Sequence, residues 1–199
     1  LLEERAMKDS LTSLSNHFFG KELMNEYLKN QDPYPTCGMM VIDVDYFKQA
    51  NDRYGHLFGD QVLVELARLL TRMFDAKDVI MRPGGDEFVV FLKDISHATL
   101  VKKAMQLVKA VREIHFEGKD YAMTCSVGVC FLRENVSGYT YDQLFENADW
   151  ALYRAKENGR NCYVFCDNLQ RFEIMEKDTS PKGNIDIRYM HNDVISTAF

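Results

Sequence analysis

Apolar and polar residues along this chain fall into blocks whose period switches between that of a helix and that of a strand. Leu1 to Lys8 is a short charged stretch that reads as the end of an incoming helix. After the turn-like Ser13 to Asn16, the residues Phe18, Phe19, Leu23, Met24, Tyr27 and Leu28 share one broad face and predict a helix, ended by Pro33 and Pro35. Cys37 to Val44 is a continuous apolar run, as in a buried strand. Val62 to Phe74 returns to helical spacing through Leu63, Leu66, Leu69, Leu70 and Met73. Two short apolar runs, Asp78 to Arg82 and Phe88 to Leu92, flank Pro83-Gly84-Gly85 and predict a hairpin. Leu100, Val101, Ala104, Leu107, Val108, Val111 and Ile114 mark another helix. Met123, Cys125, Val127, Val129 and Phe131 alternate with small or polar residues, the pattern of a strand covered on one side. Thr140 and Gln143 have capping-box spacing ahead of a helix carrying Leu144, Phe145, Ala148, Ala151, Leu152 and Ala155, and Gly159 sits where it should stop. Cys162 to Cys166 reads as a last strand.

The resulting order, α-β-α-β-β-α-β-α-β, interleaves helices and strands but breaks the alternation with one hairpin. It predicts an α/β (α+β) domain with a mixed sheet and helices packed on it. Residues 9–167 form that domain, 1–8 end an N-terminal linker helix, and 168–199 read as a C-terminal tail or linker, Lys177 to Asn184 most clearly. The chain begins at Leu1, which suggests a piece of a longer protein, with a membrane segment or sensor upstream left open.

Composition narrows the function. With 24 Lys+Arg against 30 Asp+Glu, the net charge of −6 argues against a nucleic-acid polymer bound on a broad basic face. No apolar run reaches the ~20 residues of a membrane span, so this segment is expected to be cytoplasmic with no direct membrane contact. Cys37, Cys125, Cys130, Cys162 and Cys166 form no C-x-x-C pair and read as small, reduced, buried side chains.

Three local features carry candidate chemistry. Asp43-Val44-Asp45 ends the first strand, where a sheet presents side chains to a ligand, although an Asp there can equally cap the next turn. Gly84-Gly85-Asp86-Glu87 sets adjacent carboxylates beside a backbone that a ligand can approach, which suits a hard divalent cation; a solvated hairpin tip is the plain alternative. Lys156 and Arg160 flank Asn158-Gly159 at a helix C-terminus, where cations also simply meet the helix dipole. Together they make an inventory for a metal-bound polyphosphate.

The same residues resemble the GGDEF family, the diguanylate cyclases. Gly84-Gly85-Asp86-Glu87-Phe88 is the naming signature, preceded by Arg82. Around it stand, in order, Asp43-Val44-Asp45-Tyr46-Phe47-Lys48, Asn51-Asp52, Tyr54-Gly55-His56, Gly59-Asp60, Ser126-Val127-Gly128, Ala148-Asp149, Ala151-Leu152-Tyr153, Ala155-Lys156 and Gly159-Arg160-Asn161. The resemblance implies a polymerase-palm-like mixed five-stranded sheet, and condensation of two GTP into cyclic di-GMP and two pyrophosphates by a homodimer. It implies Mg2+, with Mn2+ as a substitute, held by Asp43, Glu87 and the Val44 carbonyl with Asp86 close by. Glu87 is the implied proton acceptor, and Asp86 stands with it as catalytic.

On the substrate side the resemblance implies Asn51 and Asp60 as guanine readers, His56 beside them, and Leu14 packing on a base. Asp60 can accept from the guanine N1 and N2 donors that adenine lacks. Lys48, Lys156 and Arg160 would meet the β- and γ-phosphates, with Gly84 and Gly85 letting substrate approach the turn. Tyr46 and Phe47 are expected in the core. The sequence departs from the family pattern at Thr12-Ser13-Leu14-Ser15-Asn16, at His17 and at Pro83. It departs most at the family's inhibitory product site, where Asp75-Ala76-Lys77-Asp78 replaces Arg-x-x-Asp and predicts weak or absent feedback. A non-catalytic module that binds GTP or a partner protein is the competing expectation.

Overall fold

The computed structural model describes residues 6–29, 36–132, 138–167, 172–175 and 187–190. Leu1 to Arg5 of the expected incoming helix, Pro33 and Pro35, and the expected linker Lys177 to Asn184 lie outside the described residues. The elements run β1 (Ser15–Asn16), α1 (His17–Lys29), β2 (Cys37–Val44), α2 (Phe47–Tyr54), α3 (His56–Met73), β3 (Val79–Gly84) and β4 (Glu87–Lys93). They continue with α4 (His97–Arg112), β5 (Cys125–Leu132), α5 (Tyr141–Glu157), β6 (Tyr163–Asp167), β7 (Phe172–Met175) and β8 (Ile187–Met190).

The sheet is mixed, in the order β1-β3-β4-β2-β5-β6-β7-β8. Its centre, β2 to β6, is the expected set of five; β1 extends one edge, and β7 and β8 extend the other within the segment expected as tail or linker. β2 runs antiparallel to both neighbours, β4 and β5, while β6 joins β5 in parallel. Such a short apolar run can sit at the centre because it is covered on both faces. Gly38, Met40, Ile42 and Val44 alternate with Cys37, Met39, Val41 and Asp43. Met40, Ile42 and Val44 pack in a core with α2, α3 and α4, whereas Cys37, Met39 and Val41 pack with α1 and α5. All five cysteines are free and buried.

Four expectations need correction. The helix expected from Val62 begins at His56, and a separate helix α2 precedes it; Gly55, at φ 86°, both ends α2 and opens α3. The strand expected to be covered on one side, β5, is buried throughout. Its alternation is of size rather than exposure, because α5 crosses it closely: a Cβ on Gly128 would collide with the Ala148 carbonyl and the Leu152 backbone. Tyr46, expected in the core, is 54% exposed and left-handed, at φ 57°, whereas Phe47 does pack against the core. The sheet, finally, has eight described strands rather than five.

Candidate active site

Strand periodicity decides where the carboxylates point. Asp43 continues the Cys37, Met39, Val41 face, and Glu87 continues the Val89, Phe91 face, so both lie on the α1/α5 side. They are direct partners in the β2–β4 ladder, which sets two like charges opposite each other at the end of the sheet. Lys156, on the last turn of α5, reaches Asp43 Oδ2 at 2.8 Å. Burial raises the Asp43 carboxyl above its ordinary value even though the Lys156 ammonium pulls it down. Burial also raises Glu87, helped by the negative charges of Asp149 and Asp43.

The turn that carries Asp86 is tied from two sides. Arg82 donates from Nε at 3.0 Å and Nη2 at 2.6 Å to the Gly85 carbonyl, and from Nη1 at 3.1 Å to each oxygen of Asp9. Asp9 in turn accepts from the Thr12 N–H at 2.8 Å and hydroxyl at 2.6 Å. These bonds hold its carboxyl below the usual range although burial works the other way. Gly85 at φ 56° takes a conformation that suits glycine. Pro83 falls where the β3–β4 register shifts between Met81 and Gly84, so its missing N–H is absorbed by a ladder irregularity.

Asp43, Glu87 and the Val44 carbonyl offer hard oxygen donors, with Lys156 paired to Asp43. That chemistry fits Mg2+ or Mn2+. Among the described residues no three His, Cys, Asp or Glu side chains converge on one point. The protein would therefore furnish part of a coordination shell, which suits a cation that keeps waters and substrate phosphates.

The expected substrate residues divide by element. Lys48 and Asn51 lie on α2, and His56 and Asp60 on the first turns of α3. Gly59 makes room for Asn51, since a Cβ there would strike Asn51 Oδ1. That oxygen is buried with no hydrogen-bond partner among the described residues. Asp60 lines a groove of about 560 Å³ with Val64, Arg68, His115 and Phe116, and no other expected site residue lines it. Leu14 is 8% exposed and belongs to the core cluster on the α2, α3 and α4 side of the sheet. Gly84 and Gly85 are exposed at the tip of the β3–β4 turn.

Sequence reasoning missed the residues that hold the basic end of the site. Asp45 is buried and accepts from Ser126 Oγ at 2.6 Å, Thr124 Oγ1 at 2.8 Å and the Asn161 N–H at 2.9 Å. Arg112 donates to Asn161 Oδ1 at 2.8 Å and to its carbonyl at 3.2 Å. The Arg160 guanidinium stands over the Tyr46 ring, 4.9 Å from its centroid. Asp45 was legible as the second carboxylate of an alternating pair. Arg112 looked like any cation in the last turn of a helix.

A mixed sheet with helices packed on it, its central strand ending in carboxylates beside a glycine turn, is an architecture of the palm type. The chain belongs to the GGDEF family: residues 6–162 match the family described as "Diguanylate cyclase, GGDEF domain". It is 34% identical over 160 residues to diguanylate cyclase DgcS of Shewanella oneidensis, covering 80% of this chain and 52% of that protein. It is also 34% identical over 179 residues to cyclic di-GMP phosphodiesterase PdeR of Escherichia coli, covering 88% of this chain and 27% of that one. The chain thus spans about half the length of the first relative and about a quarter of the second. Its fold matches the crystal structure of diguanylate cyclase SiaD from Pseudomonas aeruginosa in complex with its activator SiaC. The TM-score is 0.73 at 34% identity, covering 83% of this chain and 64% of that one. No helix among the described residues is long and apolar enough to cross a membrane.

Proposed function

We propose that the domain is a diguanylate cyclase, joining two GTP molecules into cyclic di-GMP with release of two pyrophosphates. The observation that carries this is the cross-strand pairing of Asp43 with Glu87, faced by Lys156. Asp43, Glu87 and the Val44 carbonyl would hold Mg2+, with Asp86 beside them. When bound, the ion supplies Lewis-acid polarisation and charge neutralisation at the α-phosphate. Glu87 accepts the 3′-hydroxyl proton on a carboxylate oxygen. Asp60 and Asn51 select guanine, His56 lies beside them, and Lys48, Lys156 and Arg160 receive the β- and γ-phosphates. Each subunit holds one GTP, so bond formation needs two copies face to face.

The segment that corresponds to the inhibitory product site is occupied otherwise. Asp78 accepts from the Asp75 N–H at 3.1 Å and from the Lys93 N–H at 3.2 Å, and an aspartate replaces the expected arginine. This supports a cyclase without product feedback through that site.

A second reading, a regulatory module that binds GTP without turnover, draws on the similarity to a phosphodiesterase. Incubation with GTP and Mg2+ at high protein concentration, with products resolved by chromatography, separates the two. Cyclic di-GMP is expected. If GTP binds but no product forms even when a fused coiled coil forces dimerisation, the module reading stands.

A further inference from the structure

The turn after α5 contains more unusual backbone than a helix end requires. Its cap follows the Schellman pattern: the Arg160 N–H donates to the Ala155 carbonyl at 3.1 Å and the Gly159 N–H to Lys156 at 3.3 Å. That pattern accounts for Gly159 at φ 88°. It does not account for the next two residues, Arg160 at φ 63° and Asn161 at φ 52°, which are left-handed without being glycine. Such conformations persist where the surroundings over-determine them.

The surroundings here are two charged side chains from different layers. Asp45, beyond the end of β2, takes the Asn161 N–H at 2.9 Å. Arg112, at the end of α4 on the opposite face of the sheet, takes both the Asn161 side-chain oxygen and its carbonyl, at 2.8 and 3.2 Å. An arginine in the last turn of a helix ordinarily serves that helix's own carbonyls. Arg112 spends its planar fork on another element instead, a geometry lysine cannot reproduce.

We infer that Arg112 is a positioning residue for the nucleotide triphosphate. With Asp45 it fixes Asn161, and through Asn161 it fixes the turn that carries Arg160 and follows Lys156. The inference rests on the proposed phosphate-binding role of Lys156 and Arg160. Arg112 itself touches no substrate; it holds the turn so that two flexible cations begin from one geometry and lose less freedom on binding.

Calorimetric binding of 3′-deoxy-GTP with Mg2+, compared with 3′-deoxyguanosine, tests this without turnover, because neither ligand carries the attacking hydroxyl. The wild-type chain is expected to bind the triphosphate far more tightly than the nucleoside. Arg112→Gln should weaken the triphosphate at least tenfold and leave the nucleoside unchanged, with Arg112→Lys intermediate. Asn161→Ala should reproduce the loss, which keeps the test decisive if Arg112→Gln fails to fold. Folded variants that lose both ligands alike, or that keep the ratio unchanged, overturn the inference. If the wild type itself does not prefer the triphosphate, the phosphate role of Lys156 and Arg160 fails as well.

Discussion

Glu87 is held where its charge is unfavourable: partly buried, opposite Asp43 and near Asp149. Its folded proton affinity therefore lies above the ordinary value of 4.5. Between those two values the native state holds more protons than the unfolded chain, so stability falls as pH rises through the window and then levels off. In the absence of divalent cations, Glu87→Gln should melt above wild type at pH 7, and the gap should close as the pH drops below the ordinary value of 4.5. Mg2+ should raise the melting temperature of wild type and barely move the variant. The same substitution should cut cyclic di-GMP formation by about 10²–10⁴-fold, the usual worth of a general base. Scanning calorimetry across pH checks the first part, and a variant that melts below wild type at pH 7 would refute it. Glu87 and Asp43 were legible in the sequence because each sits in a compact local motif. Asp45 was visible as a carboxylate, but what it, Asn161 and Arg112 do together was not legible, since it appears only when three distant segments meet. Tyr46 was misread because aromatic residues beside an apolar run usually enter the core, whereas its left-handed backbone turns it outward beneath Arg160.

At the scale of elements, the decisive contact is α5 lying on β5. Periodicity placed both correctly, but it could not distinguish a strand with one open face from a strand with a helix pressed against small residues. Gly128 is small because α5 backbone occupies the space that a larger side chain would fill. Lys156 rides on that helix, so the closeness of this packing sets its reach to Asp43. Gly128→Ala should lower stability by about 1–3 kcal/mol, the usual cost of overpacking, because the obstructing atoms are backbone and cannot swing away. Denaturant titration with unchanged slope would measure it, and a neutral result would mean that α5 can lift freely. The break at Gly55 was hidden for a related reason. α2 is short and largely polar, so its apolar stripe gives little signal, although Phe47 and Ala50 do face the core.

Across the whole molecule, net charge limits only one kind of ligand. A balance of −6 speaks against a polyanion gripped over a wide surface, yet it is compatible with a small anion met by a cation and a few basic side chains. The segment proposed for product feedback follows the same locality: Asp75 puts a negative charge where the Arg-x-x-Asp pattern has an arginine. Progress curves at saturating GTP should therefore stay linear as cyclic di-GMP accumulates. Tight product binding lost in Asp78→Ala but retained in Glu87→Ala would contradict this. The sheet order has a consequence for how the domain is made. The central strand β2 bonds to β4 and β5, both far along the chain, and the two facing carboxylates exist as a pair only once that register closes. Pairings of such long sequence separation form slowly, because loop closure must precede the contacts that reward it. During synthesis the paired carboxylates cannot face each other until β4 has docked, and the turn bearing Arg160 arrives later still. Competence would then appear near the end of folding, in one cooperative step.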